Sequence, residues 1–71
     1  MFVVNDKNQL INMTSVKSFK CVYAAETNKF FIEFTKFTAI ATKHFEYWEY
    51  DNEQERDQAY LKLYRKFVTP I

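Results

Sequence analysis

The stretch FEYWEYDNEQERDQAYLKLYRKF, residues 45–67, holds the clearest strand-to-helix junction of the chain. Its aromatic start predicts a strand that runs to Tyr50. Asn52 is the expected helix N-cap, and Glu55 stands three residues later in the capping-box position. Acidic residues crowd the first turn and basic residues the last, which suits the helix dipole, and Pro70 follows the natural stop. We therefore predict one helix over about 52–68.

The predicted helix has an apolar arc wider than one sheet face needs. At about 100° per residue, a first stripe is expected to pack on the sheet: Ala59, Tyr60, Leu63 and Phe67. A second stripe, the helix strip, lies about 100° further round: Leu61, Tyr64 and Val68. The helix strip is expected to meet a hairpin formed by the first two strand signals, at about 2–4 and 9–12, the segment 37–41 or a second copy of the chain.

Shorter strand signals precede the junction. They cover about 2–4, 9–12, 17–25, 30–35 and 44–50. Asn28 is expected at positive φ, because asparagine tolerates that region best where glycine is absent. Residues 36–43 contain no glycine, proline, asparagine or aspartate, so this segment extends one strand, starts the next or bulges.

The order of these elements predicts the fold class. We expect an α+β fold, an antiparallel meander of four to five strands followed by one C-terminal helix packed on one face. The 71 residues form a single domain, with the sheet at about 1–50. A single helix covers one face of such a sheet, so the other face meets water or another molecule.

Alternation along the strands assigns residues to the two faces. Phe30, Ile32 and Phe34 form the clearest inward row. Phe19, Cys21, Tyr23 and Ala25 share the more core-like side of the preceding strand. The last strand carries aromatic residues on both sides, so either side can be buried. The expected residues of the uncovered face are Val22, Phe31, Trp48 and Tyr50.

Composition excludes several classes of site. The chain contains no glycine, which excludes a P-loop, a GxGxxG dinucleotide loop and a G-x-S-x-G nucleophile elbow. Its net charge of +1 falls short of the basic excess of a strong nucleic-acid binder. One cysteine and no long apolar run favour a cytoplasmic protein with no membrane contact.

Few residues offer chemistry. His44 is the only histidine and Cys21 the only cysteine, which is too few ligands for a structural zinc site. A Cys/His pair would lack an oxyanion loop, so we interpret Cys21 as a core residue and His44 as a half-exposed strand residue. We expect no enzyme activity, no metal and no cofactor.

The dense aromatic cluster at 45–50 has three interpretations. It fills a small core, contacts a protein, or stacks on bases. The favoured function is a non-enzymatic interaction module that binds a protein partner or itself as a homo-oligomer. The expected contact residues are Trp48, Tyr50, Leu61, Tyr64 and Val68. The alternative is weak single-stranded nucleic-acid binding through Lys17, Lys20, Lys36, Lys43 and Phe31.

The segments FFIEF, from Phe30, and EYWEYDNEQERDQAYLKLY, from Glu46, resemble small bacterial and phage proteins of unassigned function. The resemblance implies a few strands, an aromatic-rich last strand and an acidic cap leading into a helix. It implies no activity, although phage-encoded inhibitors of host proteins are one subclass of this size. The chain departs from the pattern at 36–43, where a short polar turn is usual.

Overall fold

The computed structural model describes residues 1–37 and 43–68. The elements are β1 (Phe2–Val4), β2 (Leu10–Asn12), a 3₁₀ helix (Met13–Ser15), β3 (Val16–Ala24), β4 (Lys29–Phe37), β5 (Lys43–Tyr50) and α1 (Glu53–Phe67). The predicted α+β class, with antiparallel strands and a C-terminal helix, is confirmed. The segment 36–43, for which the sequence left three alternatives, contributes its ends to β4 and β5, while residues 38–42 and Pro70 lie outside the described residues.

The strands form two antiparallel sheets where the sequence predicts a single meander. β1 pairs with β2, and β3, β4 and β5 make a three-stranded sheet with β4 in the centre. The break follows Asn12, whose side chain accepts a hydrogen bond from the Thr14 N–H at 3.1 Å and opens the 3₁₀ turn. Such a side-chain bond competes with ladder formation, so the chain changes direction before β3 begins.

Asparagines close the tight turns of this glycine-free chain. Asn28 has φ of 55°, as predicted, and Asn8 has φ of 61°. Both values lie in the left-handed region, which asparagine enters more readily than most residues. Asn5 also stabilises the first turn, because its side-chain oxygen accepts hydrogen bonds from the backbone N–H groups of Lys7 and Gln9, both at 2.9 Å.

The helix follows its sequence signals closely. The Asn52 side chain accepts hydrogen bonds from the Gln54 N–H at 2.7 Å and the Glu55 N–H at 3.3 Å, so the predicted N-cap is confirmed. The first stripe of the helix packs on the sheet, as predicted. Leu63 is buried in the core, and Ala59, Tyr60 and Phe67 pack against it.

The helix covers the sheet face that carries the β4 core residues. Ile32 and Phe34 are fully buried and Phe30 packs beside them, as predicted. Tyr50 pairs with Phe30 and Trp48 with Ile32, and side chains of directly paired residues share one face. Trp48 and Tyr50 are therefore 3% and 1% exposed. The prediction that these two residues lie on the uncovered face is wrong.

The N-terminal hairpin shares this covered face with the helix. Ile11 is buried in the core and Val3 packs against it. The Asn5 side-chain amide donates a hydrogen bond to the Tyr50 hydroxyl at 2.8 Å. The hairpin and α1 together therefore cover the core on this face of the sheet.

Cys21, predicted as a core residue, is exposed. It lies on the same side of the sheet as its partner Ile32, but β3 is an outer strand. The helix packs over this strand further along, where the rings of Phe19 and Tyr60 lie 5.5 Å apart. Tyr23 is likewise exposed. Alternation therefore gave the correct side for Cys21 and Tyr23, but an edge position leaves that side uncovered.

Candidate functional site: the open face of the three-stranded sheet

The sheet face opposite the helix is called the open face. The period of two along each strand and the register of the pairs place these side chains on it: Ser18, Lys20, Val22 and Ala24 from β3, Phe31, Glu33, Thr35 and Phe37 from β4, and Lys43, Phe45, Tyr47 and Glu49 from β5. Lys29 and Asp51 extend it at one end, where their side chains form a salt bridge. Helix and hairpin both pack on the other face.

Four large rings lie on the β4–β5 side of the open face. We call Phe31, Phe37, Phe45 and Tyr47 the aromatic row. Phe31 and Tyr47 pack edge to face, with ring centroids 5.9 Å apart. Phe45 and Tyr47 are each 49% exposed, and Phe37 is exposed as well. Clusters of exposed large rings are a common feature of protein contact surfaces.

Charged side chains of both signs frame the aromatic row. The Lys20 ammonium lies 3.8 Å from the Glu33 carboxylate, whose side chain is 14% exposed in the middle of the face. The Lys43 ammonium lies 6.0 Å from the centre of the Phe37 ring. Among the described residues, three lysines and three carboxylates occupy this face: Lys20, Lys29, Lys43, Glu33, Glu49 and Asp51.

The protonation states keep this balance at neutral pH. Loss of solvent raises the pKa of Tyr47, and the neighbouring Glu33 carboxylate raises it further by charge and by a hydrogen bond. The hydrogen bond to Asp51 raises the pKa of Lys29, and the same bond lowers the pKa of Asp51. Tyr47 therefore stays neutral while the Lys29–Asp51 pair stays charged.

The structure separates the residues that the sequence predicts as contact residues. Trp48 and Tyr50 are buried in the core and offer no surface to a partner. Leu61 and Tyr64 of the helix strip are exposed. Val68 is half-buried at the helix C-cap, and with Tyr64 it borders a shallow groove next to β3. Val22 and Phe31 do lie on the open face.

The lysines of the nucleic-acid alternative are also divided between surfaces. Lys20 and Lys43 share the open face with Phe31. Lys36 is on the helix side and binds the Glu46 carboxylate at 3.0 Å. Lys17 lines the groove beside Phe19 and Tyr60 on that same side. The four lysines thus form no common track for a phosphate backbone.

The register keeps the two candidate catalytic groups apart. Cys21 is in the row of Ile32 and Trp48, whereas His44 is paired with Lys36. Four residues along β5 correspond to roughly 13 Å, well beyond hydrogen-bond reach. Although Cys21 is exposed, partial loss of solvent around its thiol raises the pKa of that group. In the ranges 1–37 and 43–68, no three His, Cys, Asp or Glu side chains gather as metal ligands.

Two other surfaces stand out. The outer face of the hairpin exposes Phe2, Val4 and Leu10, all apolar. A groove of about 530 Å³ lies between the hairpin and α1, and its lining includes the apolar Trp48 and Leu63 and the charged Lys62 and Lys66. The Trp48 ring nitrogen is buried and has no hydrogen-bond partner among the described residues.

Sequence reasoning missed Phe37, Phe45 and Tyr47 as surface residues. The signal that identifies them is the alternation of side chains between the two faces of a strand. Phe45 and Tyr47 alternate with Trp48 and Tyr50, so only one of the two aromatic sets of β5 fits under the helix. The inward row of β4 selects that set once the register is known.

Comparisons with protein-family models, with curated proteins and with solved structures found no match for this chain. The resemblance to small bacterial and phage proteins therefore stays a prediction. No helix in the described part of the chain combines the length and the apolar character that crossing a membrane requires.

Proposed function

We propose that this chain is a small non-enzymatic binding protein that contacts a protein, either a partner or a second copy of itself, through the open face. The observation that carries the proposal is the exposed aromatic row on a face that neither the helix nor the hairpin covers. Tyrosine and other aromatic residues contribute strongly to binding energy at protein interfaces.

The charges of the open face favour a protein over a nucleic acid. Glu33 and Glu49 lie among the rings that a base would stack on, and carboxylates repel a phosphate backbone. Protein interfaces tolerate such mixed charges, since salt bridges and hydrogen bonds commonly surround an aromatic centre.

A capture experiment with paired variants tests this proposal. The tagged full chain is incubated with lysate of its native host, with and without nuclease, and captured proteins are quantified, including untagged copies of the chain itself. We expect Phe45→Ser/Tyr47→Ser to lose the captured protein at least about tenfold, and nuclease to have no effect.

The matched control is Leu61→Ser/Tyr64→Ser, which removes comparable exposed apolar area from the helix strip. We expect this control to capture protein as the native chain does. Capture that survives the open-face variant but not the helix-strip variant contradicts the assignment of the open face. Material that disappears with nuclease contradicts the choice of protein as partner.

A further inference from the structure

We propose that the occupant of the open face is a second copy of this chain, packed face to face about a two-fold axis level with Glu46. The inference rests on the proposed function and adds the identity and the register of the partner. It follows from the charge pattern of β5, from the facing residues of β4 and from the overall neutrality of the open face.

Over residues 1–37 and 43–68, the open face is neutral and carries both signs in equal number. A partner of one dominant charge gains little from such a surface, whereas a surface with both signs is able to complement itself. Isologous two-fold contact is also the commonest way for soluble chains to associate, and it requires this self-complementarity.

The β5 side of the open face reads Lys43, Phe45, Tyr47, Glu49. The series has a positive end, two rings and a negative end. The two-fold axis lies between the two packed sheets, runs perpendicular to the strands and crosses β5 at the level of Glu46. This axis places β5 of one copy over β5 of the other, with the two strands antiparallel. Lys43 then faces Glu49 of the second copy, and Phe45 faces Tyr47 of the second copy. Two ion pairs thus flank a cluster of four rings.

The same axis also matches the residues of β4. Because β4 and β5 are in fixed register, Phe31 then faces Phe37 of the second copy, and Glu33 faces Thr35 of the second copy. Every ring of the aromatic row meets another ring, and the central carboxylate meets a hydroxyl, which is able to donate to it.

Neighbouring registers fit less well. With the axis level with Tyr47, Glu33 faces Glu33 of the second copy near the centre of the contact, and like charges there are costly. With the axis level with Phe45, Lys43 faces Tyr47 and Phe37 faces Glu33, so charges and rings lose their complementary partners. The register level with Glu46 avoids both defects.

Edge-to-edge pairing of β5 is a poorer arrangement. The complementary register would place Glu46 directly opposite Glu46 of the second copy on the covered face. In addition, the Lys7 ammonium lies 3.4 Å from the Glu49 carbonyl oxygen and covers that part of the strand. Lysines at such positions discourage strand addition.

The size of the contact predicts a weak dimer. The open face of three strands of about eight residues measures roughly 14 × 26 Å. This area is about half of the surface that each partner buries in a standard-size protein interface. We therefore expect association in the range of tens to hundreds of micromolar, with dimers populated at about 1 mM.

Charge reversal in two separate chains tests the register. By sedimentation velocity up to about 1 mM, the native chain is expected to dimerise, and Lys43→Glu and Glu49→Lys alone to weaken the dimer about tenfold. An equimolar mixture of the two variants should dimerise again, since each position 43 then faces an opposite charge at position 49. Matched reversals away from the open face, Lys62→Glu and Glu26→Lys, should leave the native dimer unchanged.

A native chain that stays monomeric at the highest concentration overturns the inference, and so does a mixture that fails to dimerise. These failures are distinguishable from failure of the proposed function. A monomeric chain whose capture of a different protein depends on Phe45 and Tyr47 retains the proposed function and loses only the second copy as its partner.

Discussion

The ring nitrogen of Trp48 is buried and has no hydrogen-bond acceptor within residues 1–37 and 43–68. A buried donor without a partner costs about 1–3 kcal/mol. The rest of the side chain packs edge-on against Phe34, with ring centroids 5.0 Å apart. The buried apolar area of the ring therefore stabilises the fold, whereas the unpaired ring N–H destabilises it.

This balance predicts an asymmetric pair of variants. Trp48→Ala removes a large buried ring and should lower the free energy of unfolding by about 3–5 kcal/mol. Trp48→Phe keeps most of the packing and removes the unpaired N–H, so we expect a loss below about 1.5 kcal/mol. Urea unfolding followed by far-ultraviolet circular dichroism measures both values. Equal losses for the two variants would contradict the expectation that the unpaired N–H opposes folding.

At the scale of the elements, Arg56 joins the helix to the outer strand β3. Its guanidinium donates a hydrogen bond to the Val22 carbonyl oxygen at 3.2 Å and two to the Asp57 carboxylate. It also lies 5.3 Å from the centre of the Phe30 ring. These contacts need a planar group with several donors, which arginine has and lysine lacks.

The substitution Arg56→Lys should therefore destabilise the fold although it keeps the charge. An ammonium cannot reach the Val22 carbonyl, the Asp57 carboxylate and the Phe30 ring together, so we expect a loss of about 1–2 kcal/mol. Arg65→Lys, on the exposed part of the same helix, is the matched control and should stay within about 0.5 kcal/mol of the native chain. Equal shifts of the two urea midpoints would refute a specific role for Arg56.

Local signals were sufficient for the helix and for one turn. Asn52 and Asn28 act within a few residues of their own positions, so the adjacent sequence is enough to predict their roles. Neighbouring residues do not decide in the same way which side chains of β5 lie on which face of the sheet. A slip of one residue between β4 and β5 exchanges Trp48 and Tyr50 with Phe45 and Tyr47, and the connecting residues carry no turn marker that fixes the register. The existence of an uncovered aromatic face was thus predictable, but three of the four rings of the aromatic row were not.

At the scale of the whole molecule, the division into two sheets was also hidden from the sequence. Strand signals alone do not show which strands pair, and residues 9–12 and 17–25 read as neighbours in one meander. The short hairpin has three paired positions, and it contacts the rest of the molecule through side chains such as Ile11 and Asn5. The three-stranded sheet has long ladders on both sides of β4.

This division predicts two levels of stability in native-state hydrogen exchange. Amides of Ile32 and Phe34 lie in the central strand among fully buried side chains, so they should exchange only through global unfolding. Amides of Val3 and Ile11 should exchange through a local opening of the hairpin, with a smaller free energy and a weaker dependence on urea. If both sets follow one isotherm at all urea concentrations, the hairpin is an inseparable part of the cooperative core. Two separate isotherms would show that the aromatic open face remains folded while the hairpin opens on the opposite side of the sheet.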